Sequence, residues 1–320
     1  MMKHASALAL FAGLAAFVAV APSMAEQLDV VKVAIPQRGS WETSPADLGR
    51  EKGIFAKHGI MTETLYTAGG GETMQALISG SIDVAAATGT AAVLATFAKG
   101  APVRPIASSI TGAQNPFWYV PMDSPLRSLK EAAGKTIAFS ATGSSSHLAT
   151  LALVRQSGAD LRAIAAGTSE ATYTQVMSGQ IDIGWAAAPF GIAQIEQKRI
   201  RIIAKYNDIP EYRDMTARMH VANLEFLTKR PDVAKRFLAA YDETLDWMFG
   251  GDEPLEVFGK LYALPVSETR ITRDQLYSRH ALDLRRLGLD YAIVEALSLK
   301  FIARPFTPDE TGELLKYFIK

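Results

Sequence analysis

One short pattern occurs twice in this chain, and it constrains the fold more than any other feature of the sequence. Residues 77–84 read LISGSIDV and residues 176–183 read VMSGQIDI, about 100 positions later. A second pair, KVAI at 32–35 and TIAF at 136–139, repeats at nearly the same offset, each followed by a loop that contains glycine. Such self-similarity indicates two units built on one plan. The alternative is that an α/β chain repeats these segments by chance.

Each unit reads as alternating strands and helices. Strands are predicted at 30–35, 61–66 and 82–87, and helices begin near Ser44 and Glu72, where N-cap or acidic residues suit a first turn. This alternation predicts an α/β fold of two lobes with parallel-rich sheets. We expect residues 26–115 and 216–320 to form lobe 1, and residues 116–215 to form lobe 2, an insertion joined by two crossing hinge strands.

The last third of the chain has a different pattern. A strand over 216–227 is predicted to return to lobe 1. Helices are then predicted at 231–249, 253–261, 273–287, 290–301 and 308–319. We expect this helical tail to wrap lobe 1.

The first 25 residues have the pattern of a signal peptide. Lys3 and His4 precede an apolar run that ends before the small residues Ser23 and Ala25. The alternative is a membrane anchor, for which the run is short. The chain has no cysteine, so we expect no lipid anchor and favour the periplasm.

Charge and motifs argue against several classes of protein. The 33 basic and 33 acidic residues balance, whereas nucleic-acid-binding proteins usually carry a basic surplus. The five histidines lack the spacing of a zinc protease, no G-x-S-x-G elbow occurs, and Leu129 stands where a phosphate-binding loop needs glycine. We therefore predict no enzyme, no catalytic residue, no metal and no cofactor. We also expect a monomer.

The predicted binding residues follow the strands, because ligands of open α/β sheets bind beyond the carboxyl ends of the strands. The loop 143–147 (GSSSH) opens a helix with hydroxyls and free N–H groups, which suits an anion; the alternative is that Ser144 only caps the helix. Nearby aromatic residues could enclose an apolar or ring-shaped ligand. For Trp185, the alternative is that its side chain is buried within a strand and contacts no ligand. The predicted site comprises Gln37, Ser40, Trp41, Thr88, Gly89, Phe117, Ser144, Ser145, Ser146, His147, Trp185, Pro189 and Phe190.

Several segments together resemble a known family. They are 51–60 (EKGIFAKHGI), 79–83 (SGSID), 123–130 leading to 134–138, 143–147 and 304–307. The chain resembles the aliphatic sulfonate, taurine and nitrate binding proteins of ABC importers. The resemblance implies the type II periplasmic binding fold, two lobes that close on a small molecule, and an ABC permease of the inner membrane as partner.

The resemblance also implies roles for particular residues. Thr88, Gly89 and residues 144–147 would hold the anionic head of the ligand, and residues 37–41 would close over it. One departure is that many relatives carry an acid just before the proline equivalent to Pro189, where this chain has Ala188. An acid there would suit an amine, so its absence favours an anion with an apolar body, such as a sulfonate or an aromatic or aliphatic carboxylate.

Two other functions remain open at this stage. A ligand-sensing periplasmic protein that reports to a membrane receptor would use the same fold and closure. A secreted enzyme related to thiamine-pyrimidine synthesis is the weaker alternative, because that branch depends on a cysteine-rich motif and this chain has no cysteine.

Overall fold

The computed structural model describes residues 28–67, 69–112 and 114–320. The predicted signal peptide, residues 1–25, lies outside the described residues. The first part of the chain forms β1 (Asp29–Ile35), α1 (Pro45–Lys52), α2 (Ile54–Lys57), β2 (Ile60–Tyr66), α3 (Gly70–Ile78), β3 (Val84–Gly89), α4 (Thr90–Ala98) and β4 (Val103–Thr111).

A second group of strands and helices follows. It comprises β5 (Pro116–Pro121), β6 (Thr136–Phe139), α5 (Ser145–Ser157), β7 (Arg162–Ala165), α6 (Ser169–Met177), β8 (Gly184–Ala187), α7 (Ile192–Glu196) and β9 (Ile200–Lys205). The chain then continues as β10 (Thr216–Asn223), α8 (Leu224–Lys229), α9 (Pro231–Met248), α10 (Glu253–Tyr262), α11 (Val266–Leu276), α12 (Asp290–Ser298) and α13 (Pro308–Leu314).

The strands form a large sheet and a second, composite one. In the large sheet the order is β2-β1-β3-β10-β4, where β1 runs parallel to β2 and β3, and β10 runs antiparallel to β3 and β4. In the second group β8-β5-β9 pair antiparallel and β6-β7 pair parallel, joined by a parallel bridge between Ile137 and Ile183. The α/β prediction is confirmed. We call the regions around these sheets lobe 1 and lobe 2; boundaries at 115/116 and 215/216 remain our proposal.

The sequence repeat corresponds to a structural repeat. In lobe 1 the backbone N–H of Lys32 donates to Asp83 Oδ2 at 2.8 Å, and in lobe 2 the backbone N–H of Thr136 donates to Asp182 Oδ2 at 2.9 Å. Gly80 and Gly179, which precede these aspartates, both have φ of 75°, a conformation that favours glycine. The repeated Ser-Gly-x-Ile-Asp therefore supplies a turn and a carboxylate that tethers the next strand to the first.

Two chain crossings connect the lobes side by side. The first leads from β4 to β5 and the second enters β10. The backbone N–H of Gly112 in the first crossing donates to the carbonyl of Met215 in the second at 3.0 Å, and the hydroxyls of Thr111 and Thr216 lie 2.8 Å apart. A Cβ at residue 112 would lie 2.0 Å from the carbonyl oxygen of Arg213, so only glycine permits this approach.

The tail differs from its predicted form. The helix predicted over 273–287 is present only at 273–276, the end of α11, and residues 277–288 form turns and irregular backbone. Carbonyl oxygens of Ala281 and Leu284 accept from the backbone N–H groups of Thr111 and Ser108, so this segment covers the edge of β4. A helix could not offer those carbonyls, because it would use them internally. The strand predicted over 216–227 ends at Asn223, whose side chain accepts from the N–H of Glu225 and begins α8.

The tail also contacts both lobes. The helix α12 packs against α4 of lobe 1. On its other side, the buried carboxylate of Glu295 accepts from the hydroxyl of Tyr212 at 2.8 Å and pairs with Arg155 of α5 at 3.2 Å. The tail therefore does more than wrap lobe 1 as predicted, because it also contacts lobe 2.

Candidate functional site

A small cavity lies between the two lobes, where the carboxyl ends of several strands meet. We call it the inner cavity; its volume is about 60 Å³. Lobe 1 contributes Gln37 after β1, Gly89 at the end of β3 and Arg218 of β10, while lobe 2 contributes residues 144–146 at the start of α5 and Trp185 of β8. Helices α3 and α6 also begin at its rim, at Gly70 and Thr168, as expected for ligand sites in open sheets.

A larger cavity, which we call the outer cavity, adjoins the inner one. This outer cavity has a volume of about 460 Å³ and shares Pro36, Gln37 and Thr168 with the inner cavity. Its walls carry both aromatic and charged side chains. From lobe 1 come Arg38, Tyr66, Tyr262 and Glu268, and from lobe 2 come Glu170, Pro189 and Phe190.

The serines of the inner cavity form a connected cluster at the start of α5. Ser144 is the N-cap, and its Oγ accepts from the backbone N–H of His147 at 3.1 Å. The hydroxyl of Ser140 lies 2.9 Å from that of Ser144 and 2.8 Å from that of Ser146. The N–H groups of Ser145 and Ser146 belong to the first helical turn, where no carbonyl within the helix can accept from them. Hydroxyls, N–H groups and the helix dipole thus converge on the cavity.

Arg218 lines the inner cavity and was not among the predicted site residues. This residue lies on β10 and is 8% exposed. Nε donates to the Oγ of Ser145 at 2.8 Å, and Nη1 pairs with the carboxylate of Glu42, which is 1% exposed and also accepts from Ser109 at 3.0 Å. Burial raises the pKa of Glu42, and the charge of Arg218 opposes that rise. An arginine within a predicted strand that is rich in apolar residues is the signal that could have identified it.

Gly89 allows the two lobes to approach closely beside the cavity. A Cβ at this position would lie 2.7 Å from the carbonyl oxygen of Gly143 and 3.1 Å from the backbone nitrogen of Ser145. Those distances are too short for a methyl group. Gly89, which is predicted to contact the ligand, therefore also sets the distance between β3 and the start of α5.

The structure places five of the predicted site residues outside both cavities. Ser40 and Trp41 are buried in lobe 1, where Ser40 bonds Tyr277 at 3.2 Å and the Trp41 ring packs 5.1 Å from that of Phe258. Residues 41–43 form a 3₁₀ turn that directs the indole under the tail helices and away from the cleft. The indole of Trp41 therefore does not sandwich a ligand in this arrangement.

The other three residues outside the cavities, Thr88, Phe117 and His147, also pack within the protein. Thr88 is fully buried within β3. Phe117 fills the space beside Gly191, where a Cβ would lie 2.6 Å from its ring. The His147 ring stacks on Phe139 with centroids 4.1 Å apart, and its Nδ1 accepts from the N–H of Gly143 at 3.1 Å. Burial lowers the pKa of His147, so the ring is a neutral packing element beside the serine cluster.

The remaining eight predicted residues are brought together. Gln37, Gly89, Ser144, Ser145, Ser146 and Trp185 line the inner cavity, and Gln37, Pro189 and Phe190 line the outer one. The Trp185 indole is buried, and its Nε1 has no hydrogen-bond partner among the described residues. Such a donor at a cavity wall is available to a ligand or to water.

Comparison with known proteins assigns the chain to a family. Residues 43–253 match the family model described as NMT1/THI5 like. The chain belongs to the NMT1/THI5-like family. No curated protein matches the sequence.

Solved structures show that this NMT1/THI5-like protein has the periplasmic binding protein fold. The alkanesulfonate-binding protein SsuA from Xanthomonas axonopodis pv. citri, bound to MOPS, is 16% identical, with a TM-score of 0.71 over 91% of this chain and 94% of its own. SsuA from Escherichia coli is 18% identical, with a TM-score of 0.70 over 88% and 91%. The nitrate-binding protein NrtA from Synechocystis PCC 6803 is 15% identical, with a TM-score of 0.69 over 91% and 86%. The predicted family resemblance is confirmed.

Two carboxylates line the outer cavity of this NMT1/THI5-like protein. The segment before Pro189 lacks an acid, but Glu170 at the start of α6 and Glu268 of α11 both line the cavity. Burial, together with the nearby charge of Glu196, raises the pKa of Glu268. The absence of an acid at Ala188 is therefore a weaker argument against an amine than the sequence alone suggests.

The described residues form neither a metal-binding cluster nor a membrane-spanning helix. Among residues 28–67, 69–112 and 114–320, no cluster of three or more His, Cys, Asp or Glu side chains is arranged to hold a metal ion. No helix in the same ranges has the length and apolarity needed to cross a bilayer.

Proposed function

We propose that this protein is an extracytoplasmic solute-binding protein that captures a small organic anion between its lobes and delivers it to an ABC importer. The observation that carries the proposal is the inner cavity, where the guanidinium of Arg218 and the serine-rich start of α5 meet. A guanidinium, hydroxyls and free backbone N–H groups all donate hydrogen bonds, so together they suit a sulfonate or carboxylate.

The two cavities suggest how such a ligand would lie. The inner cavity is small, and the hydrogen-bond donors of Arg218 and of the start of α5 suit the anionic head. The body would extend into the outer cavity, where the rings of Phe190 and Tyr262 offer apolar surface. Because each cavity has walls from both lobes, a ligand that fills them would favour the closed arrangement of the lobes.

Related folds support this role. The relatives that share the fold are described as alkanesulfonate-binding and nitrate-binding proteins, and these ligands are small anions. We propose the same class of ligand here, bound without chemical turnover. The family also includes proteins of thiamine synthesis, so turnover needs a direct test. Mass spectrometry of the bound compound should recover it unchanged. Conversion to a product would indicate an enzyme.

A thermal-shift screen of the purified protein tests the proposed function. The panel contains alkane sulfonates, taurine, aromatic and aliphatic carboxylates, nitrate, amino acids and thiamine precursors. A ligand present at one hundred times its dissociation constant should stabilise the folded state by about 2.7 kcal/mol. We expect hits among the sulfonates or carboxylates. Stabilisation by amino acids or thiamine precursors alone would contradict the proposed ligand class while leaving the fold unaffected.

A further inference from the structure

The floor of the inner cavity is a buried ion pair of which only one member faces the ligand space. Arg218 lines the cavity, and Glu42 lies behind it. The carboxylate is held on its other oxygen by the hydroxyl of Ser109 at 3.0 Å, and the guanidinium is held by Ser145 at 2.8 Å. Both partners are therefore fixed in place, and the pair as a whole carries no net charge.

The titratable groups packed around this pair stay neutral near physiological pH. Tyr206, Tyr241 from α9 and Tyr277 from the tail all lie near it, and burial raises the pKa of each. On β10, burial lowers the pKa of His220 to about 3. Glu42 and Arg218 are thus the charges that decide which ligand charge this cavity accepts.

We propose that Glu42 is a positioning residue that makes the inner cavity selective for singly charged over doubly charged anions. The inference rests on the proposed function. The cost of removing an ion from water rises with the square of its charge, so a dianion needs far more compensation than a monoanion. Because Glu42 already offsets the charge of Arg218, the cavity offers a neutral pair, the serine hydroxyls and the dipole of α5. These groups compensate one negative charge but not two.

Two alkyl esters of nearly the same shape separate charge from size. Propyl sulfate carries one negative charge at any pH used, whereas propyl phosphate passes from one to two charges through a second pKa of about 6. Affinities for both are measured by isothermal titration calorimetry at pH 5 and pH 8 with the wild-type protein. The ratio of the two affinities at each pH cancels changes in the protein that affect both esters equally. We expect propyl phosphate to lose at least about tenfold relative to propyl sulfate between pH 5 and pH 8.

Two variants assign this selectivity to Glu42. In Glu42→Gln the amide can still accept from Ser109, but Arg218 is no longer neutralised, so the relative loss of propyl phosphate at pH 8 should vanish or reverse. The matched control is Glu295→Gln, which neutralises another buried carboxylate paired with an arginine, Arg155, and lies outside both cavities. Its ester ratio should equal that of the wild type.

The outcomes separate the inference from the function on which it rests. Equal relative binding of propyl phosphate at both pH values in the wild type would overturn the inference, and this result needs no variant to fold. A Glu42→Gln protein with the wild-type ratio would overturn it as well. Binding of neither ester at either pH would overturn the proposed anion site itself, and the inference with it.

Discussion

Arg218 on β10 donates from its Nε to the Oγ of Ser145 at the start of α5, at 2.8 Å. This bond crosses the cleft, because β10 belongs to the sheet of lobe 1 and α5 belongs to lobe 2. The proposed anion site is therefore complete only when the lobes are close together. An anion that accepts hydrogen bonds from both sides would stabilise that arrangement.

Replacing Ser145 with alanine should weaken the binding of organic anions. The change removes the acceptor that orients the guanidinium and a hydroxyl at the cavity wall. Hydrogen bonds to charged groups contribute about 1.5–3 kcal/mol, so we expect a loss of roughly tenfold or more in affinity for propane-1-sulfonate. Ser157→Ala, at the other end of α5, is the control and should bind like the wild type. Unchanged affinity in Ser145→Ala, measured by calorimetry, would remove Ser145 from the site.

Replacing Arg218 alone should destabilise the protein as well as abolish binding. Arg218→Met leaves the buried carboxylate of Glu42 without its ion-pair partner, which typically costs about 3–5 kcal/mol. Neutralising the carboxylate in the double variant Glu42→Gln, Arg218→Met should restore much of the lost stability while binding remains absent. Urea denaturation followed by circular dichroism measures the three free energies of unfolding. A double variant no more stable than Arg218→Met would contradict the ion-pair account.

Phe190 should matter only for ligands with an extended apolar body. Its ring lines the outer cavity and packs on Tyr173 with centroids 5.8 Å apart. We expect Phe190→Ala to lower the affinity for hexane-1-sulfonate by about tenfold and to leave methanesulfonate almost unaffected. Phe306→Ala, which truncates a half-buried ring outside both cavities, is the matched control. Equal losses for the short and the long sulfonate would place the ligand body elsewhere.

Stability should fall in mild acid because of His220. Burial lowers its pKa from 6.5 to about 3 in the folded state. Above pH 6.5 the His220 ring is neutral in the folded and the unfolded state. Below pH 6.5 the ring binds a proton in the unfolded chain but not in the folded protein. The free energy of unfolding should therefore fall between about pH 6.5 and pH 3, by about 2 kcal/mol at pH 5 from this residue alone.

The variant His220→Phe tests that assignment. It keeps a ring against Tyr241, whose centroid lies 4.6 Å from that of His220, and removes the titrating group. Urea denaturation at pH 7 and pH 5 should show a smaller loss of stability on acidification than in the wild type. A remaining slope is expected from His147, whose pKa is also lowered by burial. The same loss in wild type and variant would contradict a neutral buried His220.

Local patterns were sufficient to predict much of the fold. The repeated Ser-Gly-x-Ile-Asp predicted two similar lobes, and the structure shows Asp83 and Asp182 tethering equivalent strands. The loop 143–147 leads into α5 as predicted, because Ser144 is a favourable N-cap residue, and residues 144–146 line the inner cavity.

Long-range pairings could not be predicted in the same way. Glu42 and Arg218 are 176 positions apart, and neither residue has a local motif that indicates its partner. Trp41 was assigned to the cleft because it follows a strand, but a single 3₁₀ turn redirects its side chain into the core. Residues 277–288 have helical composition, yet pairing with the open edge of β4 determines their backbone.

A crystal structure of the protein with propane-1-sulfonate is the most direct test of the anion site. We expect the sulfonate oxygens to lie in the inner cavity, within hydrogen-bond distance of the guanidinium of Arg218 and of the first turn of α5 at Ser145 and Ser146. The propyl chain should point toward the outer cavity. A sulfonate bound anywhere else, or in the outer cavity with no contact to Arg218, would contradict the account.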